Sequence, residues 1–518
     1  MMKAADPAHL GFRRFALVFA GLFAVAALPV LLCDTLPLFD YPNHLARMHV
    51  LAALAHSEWL QRYYEIAWRP LPNLAMDLLV PPLAQLMPLA WAGKLFVLLT
   101  LLLLAGGTAA LHRVLFGSWS AWPCLAFLLL YSRELLWGFL NYLFGLGLGL
   151  FALALWIVLA RRQASALLRI GIGALMALVL FFAHLMACGL YGVLVMGHAA
   201  GLAWRRRGAP GAALKELLVA GLPFLPALAI LLLLTPGSAG GAIAYGNPLR
   251  KIDLLFSLFD NYHRPFDVAC FVLALLALLF GFWRRWLRLE PSMAGPLAAL
   301  ALTYLAMPTQ LATASGADHR IPVMLGLVLI ASSRWAAPLP KPRAFFLGAA
   351  LLMYLARIGL VSASWEASDR VYARLLPQLE RLPRGSRLAV AFPPEALNSQ
   401  PTPLVHFPTL AIAGRDAFVP TLFAFPTQQP VALAPPYRWL ADRLPPERLW
   451  SAFLGGGPPL DAAERAALRR YDRIVFVSRA PFTVPSTALL VPQFAAPRFA
   501  LLGIAGGKST LDDRNPAR

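Results

Sequence analysis

The chain has 518 residues, of which 59% are hydrophobic and only 14% charged, and its mean hydropathy is +0.65. An ordinary soluble domain carries about 25% charge, so a water-soluble globule of this composition would have to expose apolar surface it cannot hide. The formal net charge of +20 does not indicate a nucleic-acid partner, because the Lys and Arg residues stand mostly as short clusters between apolar blocks.

In chain order, apolar blocks of about 17 to 22 residues, long enough for a helix to cross about 30 Å of hydrocarbon, predict eleven spans: 12–32, 89–111, 119–136, 138–160, 167–183, 185–203, 214–234, 267–283, 293–312, 321–337 and 344–362. The clusters Arg13-Arg14, Arg161-Arg162, Arg205-Arg206-Arg207, Arg284-Arg285 and Lys341 with Arg343 flank spans and read as cytoplasmic by the positive-inside rule. The N-terminus is then cytoplasmic, and an odd number of crossings puts the C-terminus outside. The expected protein is an all-α polytopic membrane protein, surrounded by membrane lipids, with a small C-terminal α/β or mixed domain outside.

The expected domains are a membrane domain over 1–362 and a soluble domain over 363–518. Within the first, segment 34–88 is an outside loop whose helical periodicity and aromatics Trp59, Tyr63, Tyr64 and Trp68 predict helices lying in the membrane interface. Segment 236–266 is a second outside loop, Gly-rich and then polar. The C-terminal segment has strand-like runs at 387–392, 473–478 and 499–504, a helical stretch at 461–470 and a disordered tail. Cys33, Cys124, Cys188 and Cys270 show no spacing for a disulfide framework or a zinc site. Gly145, Gly147 and Gly149, like Gly197 and Gly201, predict close helix packing inside spans. The sequence has no Walker motif, HExxH or nucleophile elbow.

Chemistry-bearing residues concentrate just after the first span, in Leu38-Phe39-Asp40-Tyr41-Pro42-Asn43-His44-Leu45-Ala46-Arg47-Met48-His49. On a helix beginning near Pro42, His44 and Met48 share one face, as do Asn43 and Arg47, because residues four apart are neighbours. Asp40 then stands at the helix N-terminus. It is either a cap or a carboxylate with work to do at the membrane surface.

The order of features resembles the GT-C superfamily of membrane glycosyltransferases, which take sugars from polyprenyl-phosphate carriers. Phe39-Asp40-Tyr41 with Leu45-Ala46-Arg47 resembles the acidic start of that family's first outside loop, Arg69-Pro70-Leu71-Pro72 its Pro-rich segment, and Leu111-His112-Arg113-Val114-Leu115-Phe116-Gly117 its short cytoplasmic turn. Tyr131-Ser132-Arg133-Glu134 is similar to the turn before the fourth span, and Arg320-Ile321-Pro322 to an Arg-containing turn that opens a late span. Many members carry two adjacent acids in the first loop, whereas Tyr41 follows Asp40 here. A divalent metal is therefore compatible with the resemblance but not required by this sequence.

The resemblance implies a polyprenyl-phosphate-linked sugar as partner and Asp40 as the base that takes a proton from the acceptor hydroxyl. Substrate contacts fall to His44 and Arg47, and to Arg133, His263, Arg264, His319 and Arg320 on the outer face, where cations offset charge on a departing phosphate. Arg320 has a second reading, as an arginine that anchors its helix at the interface. His184, between two spans, reads as a hydrogen-bonded structural histidine. A transporter or flippase of a lipid-linked saccharide is the runner-up function, and a non-catalytic envelope assembly protein the third. The gathering of polar residues in outside loops favours surface chemistry over transport, which places charges and broken helices at mid-membrane.

Overall fold

The computed structural model describes residues 9–205, 207–235, 242–312, 314–336, 338–396 and 404–506. Arg206 of the third basic cluster, the Gly-rich start of the second loop and the predicted terminal tail lie outside the described residues. The chain folds as two compact units, one formed by Met1–Leu32, Arg69–Met76 and Leu95–Ser364, the other by Cys33–Trp68, Asp77–Lys94 and Trp365–Arg518.

Among the described residues, eight helices are long and apolar enough to cross a membrane: Phe12–Leu32, Leu89–Phe116, Leu140–Arg161, Ala166–Ala183, Leu185–Arg205, Pro210–Leu233, Arg264–Trp283 and Pro340–Glu380. The protein has a polytopic membrane fold. The other three predicted spans hold shorter elements. At 119–136 the chain forms a 3-10 helix, Trp122–Leu129, followed by the one-turn helix Arg133–Trp137, which stops at Gly138 with φ 86°. A 3-10 helix rises about 2 Å per residue, so the same run covers more distance than an α-helix would. Helices Ala294–Ala306 and Ile321–Ser332 occupy the remaining two. Leucines such as Leu232, Leu233, Leu273 and Leu276 stay exposed on the long helices, as lipid-facing positions do.

Two glycine contacts set the packing of the first unit. A Cβ on Gly107 would stand 2.8 Å from the carbonyl oxygen of Gly147, and one on Gly197 would stand 2.8 Å from that of Gly295. Backbones approach this closely only where no side chain intervenes. Gly201 belongs to the second contact, since a Cβ on Gly295 would stand 3.3 Å from its Cα, whereas a Cβ on Gly149 would meet only the end of the Met324 side chain at 3.7 Å.

The second unit is built on a four-stranded sheet in the order Leu490–Ala496, Phe499–Ile504, Arg473–Val477, Leu388–Ala391. The first two pairings are antiparallel and the last is parallel. The inner strands are buried almost throughout, whereas Leu490–Ala496 is mostly exposed. That edge strand carries Pro492, which an edge tolerates and which hides the strand from a sequence reading. Helix Ala462–Leu468 opens with a capping box between Asp461 and Glu464.

Most of the predicted first loop, 34–68 and 77–88, is part of this unit. Its strand Tyr64–Ile66 pairs antiparallel with Val431–Leu433, and Asp369 accepts hydrogen bonds at 3.1 Å from the amides of Asp34 and Thr35. Tyr63 and Tyr64, read above as interfacial aromatics, are core residues instead. Their hydroxyls donate to the carbonyls of Gly385 and Ala417, so each ring is buried with its polar end satisfied.

Candidate functional site

In the first unit, three stretches distant in sequence form one polar cluster. The Arg133 amide donates to Ser257 O at 3.0 Å, its guanidinium pairs with Asp260, and Ser257 Oγ donates to buried Glu134 at 3.0 Å. Lys251 Nζ lies 3.1 Å from Asp318 and donates to Met307 O, while Thr309 also donates to Asp318. Arg250 Nη2 meets His319 Nε2 at 2.7 Å. Arg320 donates to Gly316 O at 3.0 Å, lies over the Phe139 ring at 4.5 Å, and its carbonyl accepts from the Tyr142 hydroxyl.

His319 is held neutral at physiological pH. Burial first, then the Arg250 charge, push its pKa down to about 4 against the pull of Asp318, with Arg133 and Arg320 adding to the depression. An arginine can only donate, so Nε2 is the accepting nitrogen and the imidazole proton sits on Nδ1. Three guanidiniums thus act on one neutral ring. Arginine side chains gathered in this way are the kind of donors that recognise an anion.

The structure brings Arg133, His319 and Arg320 together and adds Arg250 and Lys251, which sequence reasoning missed. Their only signal was a basic pair in an outside loop. His263 and Arg264 serve local structure. His263 Nδ1 accepts from the Phe266 amide and caps helix Arg264–Trp283, and Arg264 makes a 3.6 Å pair with Asp253 in which both side chains are more than half exposed, an interaction of little net worth.

In the second unit, Asp40 occupies the N-cap position of helix Tyr41–Ala53, yet its carboxylate makes no capping hydrogen bond. Pro42 in the first turn removes one of the amides a cap would serve. His406 Nε2 lies 3.6 Å from Asp40 Oδ1. Burial pushes the His406 pKa down to about 4, so this is a neutral imidazole facing a carboxylate and not an ion pair. His44, one turn on, sets its ring edge-on to Phe423 at 5.8 Å.

Two other helix residues are committed elsewhere in this unit. Arg47 makes a bidentate pair with Asp77, at 2.8 and 3.0 Å, with both side chains fully buried. Its expected substrate contact gives way to a structural one, because a guanidinium at 0% exposure with two carboxylate bonds has no surface to offer. Arg47→Ala is expected to destabilise the protein by about 3–5 kcal/mol, the cost of orphaning a buried carboxylate; unfolding at the wild-type temperature would contradict this. His49 Nε2 lies 2.8 Å from Asp416, which also accepts from Ser57 and Arg384. Burial alone would raise the Asp416 pKa, but these donors together hold it down to about 2.

The histidine shifts set a pH dependence. His319 and His406 bind a proton in the unfolded chain near the usual 6.5 but only near 4 when folded. Between these values the unfolded state holds more protons, so stability is full above pH 6.5 and falls as pH drops toward 4. Thermal unfolding of the solubilised protein is expected to show this slope, and His406→Gln is expected to flatten it.

Among the described residues, no group of three or more His, Cys, Asp or Glu side chains is placed to hold a metal ion. Tyr41 fills the place of a second acid and is itself buried, packed so closely that a Cβ on Gly93 would lie 2.5 Å from its hydroxyl. These residues do not fit a divalent ion bound by adjacent carboxylates.

Comparison with known proteins finds no matching family model and no matching curated protein. Solved structures do match. ArnT from Cupriavidus metallidurans bound to undecaprenyl phosphate superposes with a TM-score of 0.55 at 13% identity, covering 96% of this chain and 100% of that one. The apo state of ArnT from the same organism gives 0.50 at 14% identity, over 95% and 98%. The chain therefore has an ArnT-like fold.

Proposed function

We propose that the protein is an integral membrane glycosyltransferase that moves a sugar from a polyprenyl-phosphate carrier to a periplasmic or lipid-linked acceptor, at the outer face of a bacterial inner membrane. The observation that carries this reading is the near end-to-end likeness to an ArnT structure bound to undecaprenyl phosphate. In the reaction the bond between the sugar's anomeric carbon and the carrier phosphate breaks, and a bond from that carbon to the acceptor oxygen forms. The acceptor proton passes to Asp40, and the carrier departs as polyprenyl phosphate. Arg133, Arg250 and Arg320 around neutral His319 supply the positive field that offsets charge on the leaving phosphate. The two roles are assigned separately, each on the geometry inside its own unit.

The test is an assay of purified, monodisperse protein with undecaprenyl-phosphate-linked sugars and an envelope lipid fraction. The expected result is a sugar-modified product together with released undecaprenyl phosphate. Carrier crossing liposomes with no bond made would mark a flippase instead. Binding without either would mark an assembly protein.

A further inference from the structure

The side chains around Asp40 form a relay whose orientation can be deduced atom by atom. Asn43 is fully buried. Its Oδ1 accepts from the backbone amide of Phe423 at 2.7 Å, and its Nδ2 donates to the carbonyl of Thr421 at 2.7 Å. An amide N–H cannot accept and a carbonyl cannot donate, so these two contacts fix which end of the side chain is which. The same Nδ2 lies 3.2 Å from His406 Nδ1. His406 Nδ1 must then be an acceptor, and the ring's single proton sits on Nε2, the nitrogen that faces Asp40 Oδ1 at 3.6 Å.

The ring is held in that orientation from every side. Phe39 and Phe423 meet it edge-on with centroids at 4.9 and 5.1 Å. The His406 carbonyl accepts from both the amide and the hydroxyl of Thr409. Protonating Nδ1 would turn a donor toward the Asn43 amide, so geometry and burial both keep the imidazole neutral. A neutral N–H orients a carboxylate while costing it less basicity than an imidazolium would.

We infer that His406 is a positioning residue for Asp40: locked by Asn43 as the Nε2–H tautomer, it presents that N–H to one oxygen of the carboxylate and so orients the base toward the acceptor. This rests on the reading of Asp40 as the base. The inference requires the 3.6 Å contact to close to a hydrogen bond when the acceptor is bound, as catalytic contacts often do.

Paired substitutions separate positioning from packing. In His406→Gln the amide nitrogen reaches the place of Nε2, whereas in His406→Asn the side chain reaches only the place of Nδ1 and keeps the link to Asn43. Measured with saturating lipid-linked sugar, His406→Gln is expected to keep turnover within about fivefold of wild type, and His406→Asn and His406→Ala to lose about 10–100-fold, with KM for the donor nearly unchanged. In an Asp40→Asn background the same changes at His406 are expected to add less than about threefold, because the residue acts through Asp40. Equal turnover in the Gln and Asn variants, or full additivity with Asp40→Asn, would overturn the inference while leaving Asp40 as the base. A fully active Asp40→Asn protein would instead remove the underlying reading. If the Ala variant fails to fold, the comparison of Gln with Asn still decides.

Discussion

Asp40→Asn is expected to lower turnover about 10²–10⁴-fold while the protein still inserts and folds, the loss typical of a missing general base. The substitution keeps size and capping ability, since Asn and Asp cap helices about equally well. The structure sharpens the expectation, because Asp40 makes no capping hydrogen bond to its own helix. A stability change is therefore not the expected result, and the effect is to be read in kcat on purified protein with a lipid-linked sugar pool. The wild-type carboxylate is half-buried against His406, and Asn offers an oxygen of similar reach but no basicity. A fully active Asp40→Asn protein would take Asp40 out of the mechanism.

Arg320→Ala is expected to weaken use of the polyprenyl-phosphate donor about 10–100-fold, the range of one or two charge-assisted hydrogen bonds at about 1.4 kcal/mol per tenfold. Arg320→Lys is expected to lose less, since the charge remains and only the planar two-pronged donor is gone. Arg250→Ala is expected to act in the same direction, as both guanidiniums bear on His319. Binding of undecaprenyl phosphate, followed by competition with labelled carrier, reads the effect directly. Arg320 also donates to Gly316 O and stacks on Phe139, so thermal unfolding must accompany the measurement. Equal donor affinity in wild type, Arg320→Lys and Arg320→Ala would leave Arg320 as a helix anchor and nothing more.

Arg133 is already matched by Asp260, so its charge reaches a ligand only through a neutralised pair. Arg250 and Arg320 have a neutral ring, a carbonyl and an aromatic face as their named partners.

Membrane class, the order of the long spans and the helix that begins after Asp40 were all legible in the sequence. Hydropathy is summed over consecutive residues against one solvent, and a helix start needs only neighbours such as Pro42 to declare itself. Three of the predicted spans hold shorter elements because an apolar run reports burial and not element type: Trp122–Leu129 is a 3-10 helix, and the helices Ala294–Ala306 and Ile321–Ser332 give way to the short strands Gln310–Ala312 and Ser333–Trp335. The rest was decided by tertiary structure. Arg47 reads as a ligand contact in the sequence but lies against Asp77, and Arg250, which the sequence does not single out, lies against His319. His406 had no sequence signal at all, since it is 363 residues from the Asn43 that sets its tautomer. Pairing between polar groups so far apart has no period and no spacing. Whether such a histidine carries a charge depends on burial and on the donor facing it, and both exist only once the chain is folded.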